Sequence, residues 1–207
     1  YEDSQINHFK YFENNATNQA ILLALKSDLK EKLPGFTEEP LSVSVPSDRN
    51  IILRLDGGKV FRDEVTGTKP IVLLLPGIMG SNLHDEDKLL WINYASILTG
   101  GLSGLKTGKI LTPASLVSTS YRKLVEELSD SYDVVTFPFD WRLPLEDSAD
   151  KLNQKVNELM ALNQPIKMIG HSMGGVLIRD FIVNYSDTWK NLNNSPGFQL
   201  IFLGAPL

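Results

Sequence analysis

Cysteine is absent from the chain, which excludes disulfides, thiolate metal sites and cysteine nucleophiles. Histidine is scarce: His8, His84 and His171 are the three in 207 residues, and none follows position 171. No apolar run approaches the roughly 20 residues of a membrane span, so no transmembrane segment is expected. Basic clusters are also lacking. Twenty Lys and Arg stand against 25 Asp and Glu, for a net charge of −5, and nucleic acid is not expected as a partner. No internal repeat, low-complexity stretch or metal-ligand spacing is found, and no cofactor or metal is implied. The chain opens on Tyr1 and polar residues, so it reads as lacking a signal peptide and as a mature or excised piece. What it does have is 42% hydrophobic residues, enough for one sizeable α/β core.

The chain is organised around Ile166–Ile178. This stretch begins as a short apolar run, the mark of a buried parallel strand. It ends in a helix, with Val176, Leu177, Ile178, Phe181 and Ile182 at near-helical spacing. Between them, Gly170-His171-Ser172-Met173-Gly174 matches G-x-S-x-G. A serine nucleophile needs a turn this tight so that its Oγ stands clear of the sheet. Glycines two before and two after remove Cβ atoms that would collide there. The following helix aims its first N–H groups at a developing oxyanion. Ser172 is therefore expected as the nucleophile of an α/β-hydrolase elbow. The alternative, Ser172 as the N-cap of an ordinary βα turn, leaves the paired glycines unexplained. His171 is expected to be a packed elbow residue and not the base, because adjacent residues on a sharp turn point apart.

The N-terminal 40 residues are read as a helical segment or linker. Leu22, Leu25, Leu29 and Leu33 form a helical stripe ended by Pro34-Gly35. The helix either links to an upstream domain or packs on the sheet. Residues 41–207 are read as the N-terminal part of the hydrolase domain. Leu41–Val45, Ile51–Leu55 and Lys59–Val65 are strand candidates for an antiparallel start. Ile71–Leu75 is apolar throughout and so a central strand. The Pro76–Ser81 loop follows. Either it is a plain strand-ending turn or it carries the second oxyanion amide, assigned by position to Ile78, with Met173 N–H as the other donor. Residues 82–118 do not read as one regular element. Their glycines and the apolar Leu89-Leu90-Trp91 and Ile97-Leu98 suggest a lid-like insertion. Beyond it, helices over 118–131, 147–162 and 174–185 alternate with strands Asp133–Phe137, Ile166–Gly170 and Phe198–Leu203. That alternation predicts a doubly wound, mostly parallel sheet, incomplete on its C-terminal side.

Three runs narrow the class: Leu75–Leu83, Phe137-Pro138-Phe139-Asp140-Trp141-Arg142, and Gly170–Gly175. In this order they resemble the lecithin:cholesterol acyltransferase family, over roughly residues 70–207. Gly204-Ala205-Pro206 after the last strand also fits. Phe139 stands where the family usually has Tyr, and the family's lid disulfide is impossible without Cys. The resemblance implies acyl-ester chemistry on lipids: Ser172 takes the acyl group and passes it to water or an alcohol. It implies a structural Asp140–Arg142 pair near the lid and makes Trp141 a candidate for the acyl path; Trp91, in the lid-like insertion, is the other candidate for the lid or acyl site.

A serine needs a base, and the base an orienting acid, in the chain order Ser, Asp or Glu, His. After Ser172 there are Asp180 and Asp187 but no His. A C-terminal portion, on the same or a separate chain, is expected to supply the acid and the histidine. Two alternatives remain. One is a non-catalytic, hydrolase-like binding module. The other is a hydrolase of non-lipid esters or amides.

Overall fold

The structure, a computed structural model, describes residues 11–26, 65–93 and 101–207. The expected strands at 41–45, 51–55 and 59–65 lie outside these residues, save for the last position, as do Leu29 and Leu33 of the N-terminal stripe.

β1 (Ile71–Leu75) is buried at every position. Such a strand can exist only in the middle of a sheet covered on both faces. It pairs in parallel with β5 (Asp133–Thr136) on one side and β6 (Ile166–His171) on the other. β6 in turn pairs in parallel with β7 (Gln199–Leu203), giving the order β5-β1-β6-β7. Alternation along β1 sorts its side chains into two layers. Ile71, Leu73 and Leu75 pack with Leu152, Val156, Leu177, Ile178 and Phe181. Val72 and Leu74 pack with Ile21, Leu25, Tyr121, Leu124 and Leu128. Each fully buried side chain of this size contributes about 2 kcal/mol of transfer free energy.

The helices supply those layers. α1 (Asn15–Lys26) and α2 (Ser118–Ser129) cover the second face. On α2, Tyr121, Leu124, Val125 and Leu128 form the buried stripe that the spacing predicts. α3 (Glu146–Met160) and α4 (Met173–Asn184) cover the first face. Glu146 and Asp147 sit in the first turn of α3, where the helix dipole favours negative charge. α5 (Ser186–Asn193) was not expected from its mostly polar sequence. Its buried anchor is Leu192, and Trp189 meets Phe198 edge-on at 5.5 Å. Together these elements make an α/β protein with a parallel sheet.

The region 82–118 is built of several short elements that its sequence does not declare. In its described part it holds β2 (Ser81–Asp85), β3 (Lys88–Trp91) and β4 (Thr112–Leu116), which form a separate antiparallel sheet in the order β3-β2-β4. The pattern is hard to see in the sequence because register shifts at Asn82/Leu83 and Leu83/His84 interrupt the two-residue period.

Candidate active site

The two central strands end side by side, with Leu75 opposite Gly170. Their carboxyl ends lead into the Pro76–Gly80 loop and the Ser172 turn, the edge at which open α/β sheets carry their sites. Ser172 has φ 51° and ψ −119°, far from the ordinary basins of a residue with a side chain. Such a conformation costs of order 1–3 kcal/mol and persists only where the surroundings hold it. They do so here. The Ser172 N–H donates to the Leu203 carbonyl at 2.9 Å, and the Gly175 N–H donates to the Ser172 carbonyl at 2.9 Å.

The flanking glycines follow from packing. A Cβ on Gly174 would lie 2.5 Å from the Pro76 carbonyl oxygen and 2.7 Å from that of Leu75. A Cβ on Gly170 would lie 2.7 Å from Ile178 Cδ1 and 2.9 Å from Gly175 Cα. The elbow and the first loop therefore touch backbone to backbone. Gly77 completes the contact, since its Cβ would stand 3.0 Å from Ser172 Cβ.

The polar groups of the loop are largely committed. Pro76 has no N–H. The Gly77 N–H donates to the Tyr121 hydroxyl at 2.8 Å, and the Gly80 N–H to the Gly77 carbonyl at 3.0 Å. Val117 N–H donates to the Gly80 carbonyl. Among the described residues, the N–H groups of Ile78 and Met79 meet no acceptor, and both side chains are exposed. Met79 lies at φ 60°. Met173 opens α4, so its N–H has no intrahelical acceptor. Ile78 and Met173, the two residues expected to donate to an oxyanion, are thus on adjoining segments with uncommitted amides.

His171 is buried. Its Nδ1 lies 2.8 Å from the Tyr121 hydroxyl, and its ring meets Phe12 edge-on at 5.1 Å. It is packed under the elbow, as the geometry of a sharp turn leads one to expect. Burial pushes the Tyr121 phenol well above its usual range, against the smaller opposing effect of the Gly77 N–H. Sequence reasoning placed Tyr121 on an apolar helix face and missed its polar role. The available signal was chemical: a buried tyrosine hydroxyl needs a partner.

Trp91 and Trp141 come together at 5.3 Å, edge to face. Their indole N–H groups donate to the carbonyls of Met79 (2.8 Å) and Ser81 (3.2 Å), so Trp91 clamps the loop and Trp141 the first residue of β2. Asp140 and Arg142 form a buried two-pronged pair, Nε–Oδ1 2.8 Å and Nη2–Oδ2 2.6 Å. Arg142 also donates to the carbonyls of Lys106 and Lys109, tying the 101–110 segment to the run after β5. His84 sits half-buried on β2, away from any role in the elbow's hydrogen bonds. Asp180 lies along α4 and accepts from Asn184 Nδ2. Among the described residues, no three His, Asp or Glu side chains gather as metal ligands, and no helix is long and apolar enough to cross a membrane.

An α/β protein whose serine turn and amide-bearing loop meet at the sheet's carboxyl edge is of a class that fits acyl-transfer chemistry. Residues 104–207 match the family model of lecithin:cholesterol acyltransferase, and the chain belongs to that family. The match takes in the 137–142 and 170–175 runs, while the Pro76 loop precedes it. Family membership points to acyltransferase or esterase activity on lipids in general. No curated protein matches the chain.

Proposed function

We infer that the chain is the N-terminal part of an α/β-hydrolase domain that hydrolyses or transfers lipid acyl esters through an acyl-enzyme on Ser172. The observation that carries this is the Ser172 backbone at φ 51°, ψ −119°, a strained turn with no structural need for serine. In the proposed reaction Ser172 Oγ bonds to the ester carbonyl carbon while a base takes its proton. The carbonyl oxygen gathers negative charge between the N–H groups of Ile78 and Met173. The C–O bond to the alcohol then breaks, and the alcohol leaves with that proton. Water or a second alcohol repeats the attack and frees Ser172. The base and its acid are proposed to come from residues other than 173–207, which contain no histidine, on the same polypeptide or another. Trp91 and Trp141 are proposed to wall the acyl site. The 82–118 region is proposed as its cover.

A second reading takes the elbow as an element of the fold alone: a hydrolase-like binding module without turnover. The experiment that tests the first reading compares full-length protein with Ser172→Ala on p-nitrophenyl butyrate and phospholipid vesicles. A loss in kcat of about 1,000-fold or more with an unchanged fold is expected. Equal, negligible activity in both proteins favours the binding module.

A further inference from the structure

One buried hydroxyl joins the two halves of the candidate site. Tyr121 sits on α2, on the opposite sheet face from α4, yet its oxygen receives the Gly77 N–H of the first loop at 2.8 Å. The same oxygen lies 2.8 Å from Nδ1 of His171, the residue before Ser172. A phenol has one hydrogen to give. With its oxygen already receiving Gly77 N–H, the hydroxyl shares a second hydrogen bond with Nδ1, whose direction follows the imidazole tautomer. The tyrosine ring is held at 5.3 Å from Phe12, which also abuts His171.

The consequence for the loop is specific. After Pro76, which has no N–H, Gly77 would be the first amide able to turn toward the serine. Tyr121 removes it from competition. The Gly80 N–H is closed onto the Gly77 carbonyl. The loop is thereby left presenting the amides of Ile78 and Met79, with Gly77 packed against Ser172 Cβ. An oxyanion donor misplaced by a fraction of an ångström loses much of its value.

We propose that Tyr121 is a positioning residue for the oxyanion site, holding the Pro76–Gly80 loop to the elbow through Gly77 N–H and His171 Nδ1. This rests on the reading of Ser172 as the nucleophile. Nothing here has Tyr121 touch substrate, so its removal is felt in the transition state and not in substrate binding.

The test uses full-length protein, p-nitrophenyl butyrate and a fluorophosphonate probe. Tyr121→Phe, near-identical in volume, is expected to lower kcat about 10- to 100-fold with KM within twofold, and to slow fluorophosphonate labelling by a similar factor. His171→Leu removes one of the hydroxyl's two hydrogen-bond partners and is expected to lower kcat by a smaller factor. The double variant is expected to be no slower than Tyr121→Phe alone, because both changes act through one link. Rates are normalised to folded protein. Should Tyr121→Phe not fold, 4-aminophenylalanine at position 121 keeps the shape but is a poor acceptor, and the same kcat loss is expected. Wild-type kcat in a folded Tyr121 variant, or strictly multiplicative single effects, overturns the proposal while leaving Ser172 in place. Labelling that survives Ser172→Ala overturns both readings.

Discussion

The Ser172–Gly77 junction and the Asp140–Arg142 junction fix neighbouring parts of the molecule by opposite means. At the first, backbone meets backbone, and the order comes from side chains that are missing: Gly77, Gly170 and Gly174 stand where a Cβ would collide. At the second, a buried charged fork takes the carbonyls of Lys106 and Lys109. The first junction stores strain in Ser172. The second holds two charges out of water and depends on their mutual satisfaction. One fails when something is added, the other when something is removed.

The largest effect expected of any change at either junction is that of Ser172→Ala on turnover, because removing the proposed nucleophile would disable the whole catalytic unit. Ser172→Gly sharpens the contrast. It should be equally inactive yet more stable by about 1 kcal/mol, since glycine adopts φ 51° without penalty. Denaturant midpoints of the two variants check this, and a less stable glycine variant would deny that the elbow is strained.

Arg142→Met comes next. It leaves the Asp140 carboxylate buried without its partner, which costs about 3–5 kcal/mol. Proteolysis should then open the 101–110 segment first. Double replacement of Asp140 and Arg142 by apolar residues should recover much of the loss. Gly174→Ala follows, with a cost of about 3 kcal/mol from driving a methyl into the Pro76 carbonyl. If the Gly174 variant proved the milder in catalysis, the backbone contact would not be what aligns the site.

The last effect is alkaline. The Tyr121 phenol titrates near 10 when unfolded and well above that when folded. Its contribution is fully present below pH 10. Above pH 10 the unfolded chain releases the proton and the folded one does not, so stability falls by about 1.4 kcal/mol per pH unit. Tyr121→Phe should lack this slope, and the difference between the two proteins at pH 9 to 11 isolates it.

Much of this was legible from periodicity. β1, β6, α2, α3 and α4 declare themselves because a strand buried on both faces and a helix with one apolar stripe leave strong patterns. The serine turn was legible because its glycines are sequence-local. β2–β4 were not, since their pairing is long-range and broken by register shifts. Neither was Tyr121, whose hydroxyl partners lie 44 and 50 residues away. The clamps by Trp91 and Trp141 hid for the same reason: hydrophobic patterning marks where an indole is buried, not where its N–H points.

The most direct measurement is the site of covalent labelling. Full-length protein is treated with a fluorophosphonate, digested with trypsin and read by mass spectrometry. We expect one adduct, on Ser172 within the peptide 168–179, lost in Ser172→Ala and slowed in Tyr121→Phe. An adduct on another residue, or none from a folded protein that turns over lipid esters, would contradict the assignment of the elbow as the seat of the chemistry.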